Sequence, residues 1–538
     1  MFERVKKAVR GFMQRTGADL GMAKEFKDIF ELGGVPSFNQ FYYFGIFIWK
    51  YLYKGFYKPW HLIPAPTIDN PNNKREIEPM NIEKAICAEL AGLIWSEQCE
   101  VHVSSGIELE EGKTDPLDDF VQKVLKDNAF NTKMQEHIEQ SMALGGGALK
   151  VWYEEKHDSK GNPVPNTGKI VLGYCMADQF VPTSWDNAQV TEGVFISRQA
   201  KDGYYYTRLE WHRWDGETYY IENEMFRAEK REVKNNDGTI EPQDILGFRY
   251  PLSEIYPFLN PETSIEGIDE SLFAYYRTAI ANNIDDNSPL GVSIYANALA
   301  TLHSLDVCYD SFRREFILGK RRIIVPASCI RQITDPVTGQ MIRYFDATDE
   351  VYEAFSTDDA EQLKIQDNTV ELRVEEHISA INALLNTLCL QLGFSAGTFT
   401  FDQAQGLKTA TEIISENSKT YKTIKANQLQ VKYAIEKIIK GIIEVAKLYD
   451  VKFNGLNLKD VGEYEINVVF DDSILQDRQT NINEGIMLMN NGVMSKLTYM
   501  TKILGMTEEE AKKELERIRN ESSVNTQAVD EFFMGGEE

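Results

Sequence analysis

Gly406, Lys408 and Thr409 come nearest to a phosphate-binding loop, because they stand at the start of a predicted helix. That motif needs a lysine directly after its second glycine, an earlier glycine five positions back and a buried strand before the loop. All three features are missing, so nucleotide binding is not favoured. Gly145–Gly147 precede a predicted strand rather than a helix, which is the wrong order for dinucleotide binding, and a tight turn explains them better.

Two acidic pairs are the next candidates for chemistry. Asp285-Asp286 and Asp471-Asp472 could imitate the carboxylates of a two-metal nuclease. Neither pair has a Glu-x-Lys strand beside it, and adjacent acids are common in a chain with 83 aspartates and glutamates. No metal-spaced histidine cluster, G-x-S-x-G motif or Cys/His arrangement stands out. The sequence therefore predicts no metal, no cofactor and no enzyme, with a metal-dependent DNA-processing enzyme as the alternative.

The composition limits the possible partners. The 538 residues carry a formal net charge of −26, and such a surface repels nucleic-acid phosphates. Reading of base sequence through a basic face is thereby disfavoured, although DNA passing nearby without sticking is not. The six cysteines include no C-x-x-C pair, which favours buried free thiols in a reducing compartment.

The most hydrophobic window, residues 38–57, is aromatic and includes Lys50 and Lys54. A membrane helix needs about twenty apolar residues without such charges, so we expect this segment to pack on the core or on a neighbour. A membrane-associated assembly factor that uses residues 38–57 as an amphipathic helix stays a second alternative.

The N-terminal half reads as an α+β unit. We expect helices over residues 1–60, from Asn81 and over 119–143, and then a strand at 148–153. Four further strands should form a β meander with a hairpin turn at Asp215-Gly216. Their predicted ranges are 169–175, 193–198, 204–211 and 218–222.

The C-terminal half has a different order of elements. An apolar stripe from Ser293 predicts one helix, with Asp310 able to pair with Arg313 and Arg314. A β-hairpin insert follows, and then a second helix over 371–392 with an apolar seam of four-three spacing. The seam consists of Val374, Ile378, Ile381, Leu385, Leu388 and Leu392.

A glycine-dotted loop follows the second helix. Thr409 and Glu412 form a capping box that predicts the start of a helix of about forty residues, roughly 60 Å long. A strand is expected at 463–470, and shorter helices after it.

Four segments of this chain resemble the portal protein of tailed phages, of the type found in long-tailed phages of Gram-positive bacteria. They are NIEKAICAELAGLIWSEQ (81–98), EHIEQSMALGGGALKVWY (136–153), SPLGVSIYANALATLHSLDVCYDSFRREFILGKRRIIVP (288–326), and YEINVVFDDSILQD with NNGVMSK (464–477 and 490–496). No single motif is diagnostic, but the order of the elements is specific and the resemblance covers essentially the whole chain.

The resemblance implies an α+β portal fold, assembled as a dodecameric ring with a central DNA channel. Its parts would be the wing (1–292), the stem helices (293–319 and 371–392), the clip (320–370), the tunnel loop (393–408), the long wing helix with its return strand (409–472) and the crown (473–538). The ring would sit at one capsid vertex of the virion after assembly in the host cytoplasm. It would pass double-stranded DNA during packaging and ejection. The implied partners are the terminase large subunit, a head-completion or adaptor protein, and the major capsid and scaffold proteins, with no stable membrane association.

The resemblance also selects candidate contact residues. Residues of the tunnel loop could touch a duplex without reading bases, Lys408 through a phosphate; alternatively, the phenylalanines pack against the adjacent loop. These residues are Phe394, Thr398, Phe399, Thr400, Phe401, Gln403, Gln405 and Lys408.

A polar face of the second stem helix should line the bore or meet a neighbouring subunit. It consists of Glu371, Glu375, Ser379, Asn382 and Asn386. At the start of the clip, three basic residues could form inter-subunit ion pairs or meet DNA at the exit, and the sequence does not choose between these. They are Lys320, Arg321 and Arg322.

Overall fold

A computed structural model gives the fold of most of the chain. It describes residues 40–106, 114–158, 164, 167–187, 189–230, 232–234, 240–242, 246–319, 323–324, 331–334, 339, 341–344, 366–367, 371–400, 410–470, 485–503 and 511–518.

Helices and strands are mixed along the chain, which confirms the predicted α+β class. The main helices are α1 Gln40–Tyr53, α2 Lys58–His61, α3 Ile82–Ile94, α4 Pro116–Asp127, α5 Phe130–Leu144, α6 Leu299–Leu318, α7 Val374–Leu392, α8 Ala410–Leu448 and α9 Lys496–Lys502, and residues 485–490 and 511–518 are also helical. The strands of the first half are β1 Leu62–Pro64, β2 Lys74–Glu76, β3 Glu100–Ser104, β4 Gly146–Glu154, β5 Lys169–Met176, β6 Phe180–Asp186, β7 Gln189–Lys201, β8 Tyr204–Asp215, β9 Thr218–Glu229, β10 Glu232–Lys234, β11 Ile240–Pro242, β12 Phe248–Arg249, β13 Glu262–Glu266 and β14 Phe273–Arg277. The later strands are β15 Ile323–Ile324, β16 Arg331–Thr334, β17 Met341–Tyr344, β18 Gln366–Asp367, β19 Lys452–Phe453, β20 Leu456–Asn457 and β21 Glu465–Val469.

The single helix predicted over residues 119–143 is wrong, because the structure divides it into α4 and α5. Ala129 has φ +49° and stands at the N-cap of α5. The side-chain amide of Asn128 donates to the carbonyls of Val124 at 2.8 Å and Ile170 at 3.0 Å. This bridge fixes the left-handed turn by tying it to a strand 42 residues later in the chain.

A three-stranded antiparallel sheet, β14–β4–β5, forms the centre of the molecule, and α8 packs across β14 and β4. The three glycines predicted to form one tight turn have separate roles. Only Gly145 has a positive φ, +91°, and a Cβ there would lie 2.6 Å from the carbonyl oxygen of Gly291. Gly146 and Gly147 belong to β4, where Tyr275 and His137 leave no space for a side chain.

A second sheet has the order β12–β9–β8–β7–β6, with β13 also paired to β9. Consecutive antiparallel pairing of β6 to β9 confirms the meander, and Gly216 with φ +61° lies in the predicted hairpin turn. The strand predicted at 169–175 is not part of this meander, because β5 pairs with β4 instead. Phe180, Phe195 and Phe273 join the two sheets, with ring centroids 4.8 to 5.5 Å apart.

Helices α6 and α7 form an antiparallel pair that flanks the β insert. Within the insert, β16 pairs with β17 as the predicted hairpin, and β15 pairs with β18. The first helix begins at Leu299 rather than at Ser293. Residues 293–298 form a turn in which the Ser293 hydroxyl accepts from the Tyr295 N–H at 3.3 Å. Ile294 and Ala298, the first two residues of the apolar stripe that predicted the helix, are still buried, so at these positions the pattern reflected burial and not a helix.

The long helix α8 has 39 residues, about 58 Å at 1.5 Å per residue, as the capping box and periodicity predicted. Most of its apolar side chains from Ile424 to Ala446 are buried, and the helix contacts the central sheet, α3 and β21. Strand β21 then pairs with β3, which brings the chain back to the N-terminal half.

Candidate functional site: the α6–α7 hairpin and its loop

The apolar seam of α7 packs against α6, but its burial is uneven along the helix. Ile381, Leu385, Leu388 and Leu392 are buried, while Val374 and Ile378 near the insert are only half-buried. The four-three spacing therefore marks the contact between the two helices, as predicted. The apolar side chains of the seam are therefore well buried at the base of the hairpin and only partly buried at its outer end, next to the insert.

A buried polar cluster fixes the base of α6. Asp306 and His61 have side chains only 2% exposed, and Asp306 also accepts from the Met80 N–H at 2.9 Å. The Tyr57 N–H donates to Nδ1 of His61 at 2.9 Å, so Nε2 carries the proton and donates to Asp306 at 3.1 Å. Burial, together with the charge of Asp306, raises the pKa of Glu83 to about 8.

One turn further along α6, Asp310 pairs with a residue that the sequence did not suggest. Arg75 on β2 donates to both of its carboxylate oxygens, one N···O distance being 2.9 Å. The expected pairs of Asp310 with Arg313 and Arg314 are wrong: Arg313 instead pairs with Glu78. Asp310 is 6% exposed, so its carboxylate needs the two-point partner that β2 supplies.

An exposed ion pair closes the outer end of the hairpin. Arg373, just before α7, donates to the two carboxylate oxygens of Glu315 on α6 at 3.1 and 2.9 Å. These hydrogen bonds are the main cause of a pKa of about 2 for Glu315. His377 lies 3.8 Å from the same carboxylate. The outer end is therefore held by charge where the apolar seam is weakest.

Two residues of the predicted polar face position the following loop. The side-chain oxygen of Asn386 accepts from the Gly397 N–H at 3.0 Å, and that of Asn382 accepts from the Thr400 hydroxyl at 3.2 Å. The loop therefore runs back along α7. Glu371, Glu375 and Ser379, nearer the insert, are exposed.

The side chain of Phe394 is only 1% exposed, so within one copy it is packed inside the loop and not on its surface. It contacts half-buried Phe399 edge-to-face, with centroids 5.4 Å apart. This contact lies within one loop, and packing of the phenylalanines against the adjacent loop stays a prediction. Thr398 and Thr400 are exposed.

The other predicted contact residues of the loop and the insert lie outside the described residues. They are Phe401, Gln403, Gln405 and Lys408, and Lys320, Arg321 and Arg322.

Hydroxyl groups tie the base of the loop to α8. Thr423 donates to the carbonyl of Gly393 at 2.7 Å, and the Ser395 N–H donates to the Thr420 hydroxyl at 2.8 Å. Gly393 has φ +83°, and a Cβ there would lie 2.6 Å from the Thr423 hydroxyl oxygen. The hairpin, the loop and the long helix are thus joined by short hydrogen bonds at one point.

Residues 393–397 do spell G-x-S-x-G (GFSAG), contrary to the expectation that no such motif stands out. A nucleophile elbow lies between a strand and a helix, with its serine hydroxyl accessible to a histidine. Here the motif follows α7, and Ser395 is 5% exposed. Its hydroxyl accepts from the hydroxyl of Thr420 at 3.2 Å, so this serine links the loop to α8.

Large apolar side chains remain uncovered on the hairpin. Phe316, Ile317 and Leu318 at the end of α6 are 45%, 52% and 53% exposed, and Leu390 near the end of α7 is 67% exposed. Phe316 belongs to the predicted apolar stripe of this helix, but three adjacent apolar residues cannot all face one partner helix. Such patches usually mark an interaction surface.

The other sites considered from the sequence give no centre for chemistry. Among the described residues, no group of three or more His, Cys, Asp or Glu side chains could hold a metal ion. Asp285 accepts from the Asn287 N–H at 3.2 Å in a local turn, and Asp471-Asp472 lie outside the described part. The five described cysteines are free thiols; Cys87, Cys99 and Cys389 are buried as predicted, whereas Cys175 and Cys308 are half-buried.

Helix α1 lies within the segment considered for membrane association. Tyr42, Ile46 and Trp49 are at most 2% exposed, which confirms that it packs on the core. Within the described part of the chain, no helix has the length and apolar character needed to cross a membrane.

The hairpin is joined to a large folded body and carries exposed apolar side chains, which is typical of a protein with an interaction surface. The chain belongs to the phage portal proteins: the family model described as "Phage portal protein, SPP1 Gp6-like" matches residues 45–528. Members of this family are structural components of the virion and assemble as oligomers at the capsid connector.

Two further comparisons were made. A search of curated proteins gives no match. Among solved structures, the chain is similar to one from the neck of an empty GTA particle computed with C6 symmetry. The identity is 12% and the TM-score 0.35, over 79% of this chain and 89% of that chain.

Proposed function

We propose that twelve copies of this chain form a ring at one capsid vertex, and that double-stranded DNA passes through its centre during packaging and ejection. The observation that carries the proposal is the α6–α7 hairpin, whose inner seam is covered by its own chain while its outer apolar side chains are not. Membership of the portal family supports the same arrangement. In a closed ring, neighbouring hairpins cover each other's exposed faces.

The proposed parts follow the order of the elements. The body before α6, together with α8 and β21, forms the wing; α6 and α7 form the stem, and the insert between them forms the clip. The loop after α7 is the tunnel loop, and residues 473–538 form the crown. The loop hydrogen bonds to Asn382 and Asn386 support its place beside the stem.

The charge of the chain suits a channel that does not grip DNA. Each copy carries −26, so a bore built from it presents few cations to the phosphates and retards the duplex little. In this proposal Glu371, Glu375 and Ser379 face the bore or a neighbouring copy. The exposed Thr398 and Thr400, with the rest of the loop through Lys408, touch the DNA backbone without reading bases.

The clip and the outer surfaces supply the docking sites in this proposal. The insert, with Lys320–Arg322 at its start, meets the terminase large subunit during packaging and the head-completion or adaptor protein afterwards. The major capsid and scaffold proteins contact the wing, and assembly takes place in the host cytoplasm.

Sedimentation velocity and negative-stain imaging of the purified full chain test the proposal. We expect a particle close to twelve times 61.5 kDa with twelvefold end-on views. A monodisperse monomer in near-physiological buffer would contradict it. Nicking of DNA with Mg²⁺ or Mn²⁺ would favour the nuclease alternative, and flotation with liposomes the membrane alternative.

A further inference from the structure

The long helix α8 leaves one narrow stripe of its surface uncovered. Lys422, Ala426, Leu429 and Tyr433 are exposed at four-three-four spacing, so they lie on one face of the helix. Leu429 is 64% and Tyr433 37% exposed, whereas the apolar residues on the other faces of α8 between Ile424 and Ala446 are buried. This spacing is that of a seam for one partner helix, and no described element of the chain occupies it.

The stripe is also the basic part of an acidic chain. Residues 418–435 contain four lysines and no aspartate or glutamate, although the whole chain carries −26. The lysines are Lys419, Lys422, Lys425 and Lys432. Lys419 donates to the carbonyl of Leu390 at 2.9 Å, so the exposed Leu390 of the hairpin lies next to the N-terminal end of the stripe. Beyond its C-terminal end, Nζ of Lys440 pairs with a carboxylate oxygen of Glu270 at 2.6 Å.

We propose that a second copy of this chain covers the α8 stripe, with Leu429 and Tyr433 buried at the centre of the contact and the lysines at its rim. The inference rests on the proposed ring and names a surface through which its copies associate. Another copy carries −26, so its surface is complementary in charge to this stripe. A duplex is the less suitable occupant, because phosphates cannot bury a leucine in the middle of the basic residues.

The contact is heterologous. In a ring built by rotation, the stripe of one copy meets a different surface of the next, and every stripe is covered when the ring closes. The lysines should therefore influence mainly the rate and the salt dependence of association, and Leu429 its strength.

The test compares two variants of the full chain. Leu429→Glu places a charge in the stripe, while Leu448→Glu makes the same change on the same helix at a side chain that is 40% exposed but off the stripe. We expect Leu429→Glu to lower the fraction of assembled particles at least about tenfold in sedimentation velocity, as for a lost interface centre. Leu448→Glu should assemble like the parent chain, and both should keep its circular dichroism spectrum.

A second measurement identifies the occupant. Tyr433 is replaced by photoreactive benzoyl-phenylalanine, and particles are irradiated with and without DNA. Cross-linking between two copies supports the proposal; cross-linking to DNA alone overturns it. Lys422→Gln should slow assembly and weaken the dependence of its rate on NaCl concentration.

The outcomes separate this inference from the ring itself. If the parent chain forms rings and Leu429→Glu forms them equally well, the stripe proposal is overturned while the proposed function stands. If the parent chain stays monomeric, the ring proposal fails and this inference fails with it.

Discussion

The body and the hairpin of this protein are stabilised in different ways. In the body, α8 and the central sheet bury their apolar faces against elements of the same chain. In the outer half of the hairpin, the apolar seam is only half-buried, and the ion pair of Glu315 with Arg373 joins the two helices at their ends. Phe316–Leu318 remain exposed there. The body has the contacts of a unit that folds alone, whereas the hairpin has those of a surface completed by other copies.

The largest expected loss of stability distinguishes apolar residues buried in the body from apolar residues exposed on the hairpin. Ile439→Ala removes a fully buried side chain of α8 and should cost about 3–4 kcal/mol of unfolding free energy. Leu318→Ala, at a side chain 53% exposed, should change monomer stability by less than about 1 kcal/mol and yet reduce assembly. Calorimetric melting of assembled and dissociated samples measures both. Equal losses of monomer stability would remove the distinction between body and hairpin.

The next effect concerns the attachment of the hairpin to the body. Arg75→Ala leaves the carboxylate of Asp310 buried without its two-point partner, which should cost about 3 kcal/mol. We expect faster amide hydrogen exchange over α6 in the dissociated chain. The matched change Arg373→Ala removes an exposed pair and should accelerate exchange only near the outer end. Acceleration of the same size and extent in both variants would be inconsistent with this account.

An effect of pH is expected at the base of the hairpin. The pKa of Glu83 is raised to about 8 by burial and by Asp306, so the folded state holds a proton that the unfolded state loses near pH 4.5. Stability should therefore fall as pH rises from about 4.5 to 8. Glu83→Gln should remove this loss and be more stable than the parent by about 4 kcal/mol at pH 8.

The control for that prediction is Glu89→Gln, at an exposed position of the same helix, which should leave the pH dependence unchanged. Melting temperatures between pH 5 and 9 provide the measurement. Parallel curves for the parent and Glu83→Gln would show that this carboxyl does not hold the proton.

The smallest effect is local and occurs in acid. Hydrogen bonds from Arg373 depress the pKa of Glu315 to about 2 from its ordinary 4.5, so the pair is intact above pH 4.5 and is lost as pH falls towards 2. Hydrogen exchange at the outer end of α6 should accelerate over that range in the parent. Glu315→Gln should already show fast exchange at pH 6, and Glu375→Gln should behave like the parent. Acid acceleration that persists in Glu315→Gln would exclude this pair as its cause.

Local periodicity predicted much of this fold. The apolar seam of α7 is a pattern of residues at most four positions apart. The helix predicted from it, 371–392, begins three residues before the helix in the structure. The hairpin turn at Gly216 is likewise set by adjacent residues, and α8 begins at Ala410, where the sequence predicted its start. Each depends on the conformation of a short segment, and such preferences are visible in sequence.

Features fixed by distant residues were not predictable in this way. The pairing of Asp310 with Arg75 joins positions 235 apart, and the nearby Arg313 and Arg314 suggested the wrong partners. The break at Ala129 depends on a bond from Asn128 to Ile170. Burial of Phe394 depends on how the loop folds onto α7 and α8. The sequence indicates that a buried charged or polar residue has a partner, but it does not identify a partner that is distant along the chain.

Hydroxyl-radical footprinting tests most directly whether other copies complete the hairpin. The assembled parent chain is compared with a dissociated sample, and oxidation is measured at Phe316, Ile317, Leu318 and Leu390. We predict at least about fivefold protection of these side chains on assembly, since contact with a neighbour removes them from water. Unchanged oxidation in a particle of ring size would contradict the account, because the uncovered faces would then not be where the copies meet.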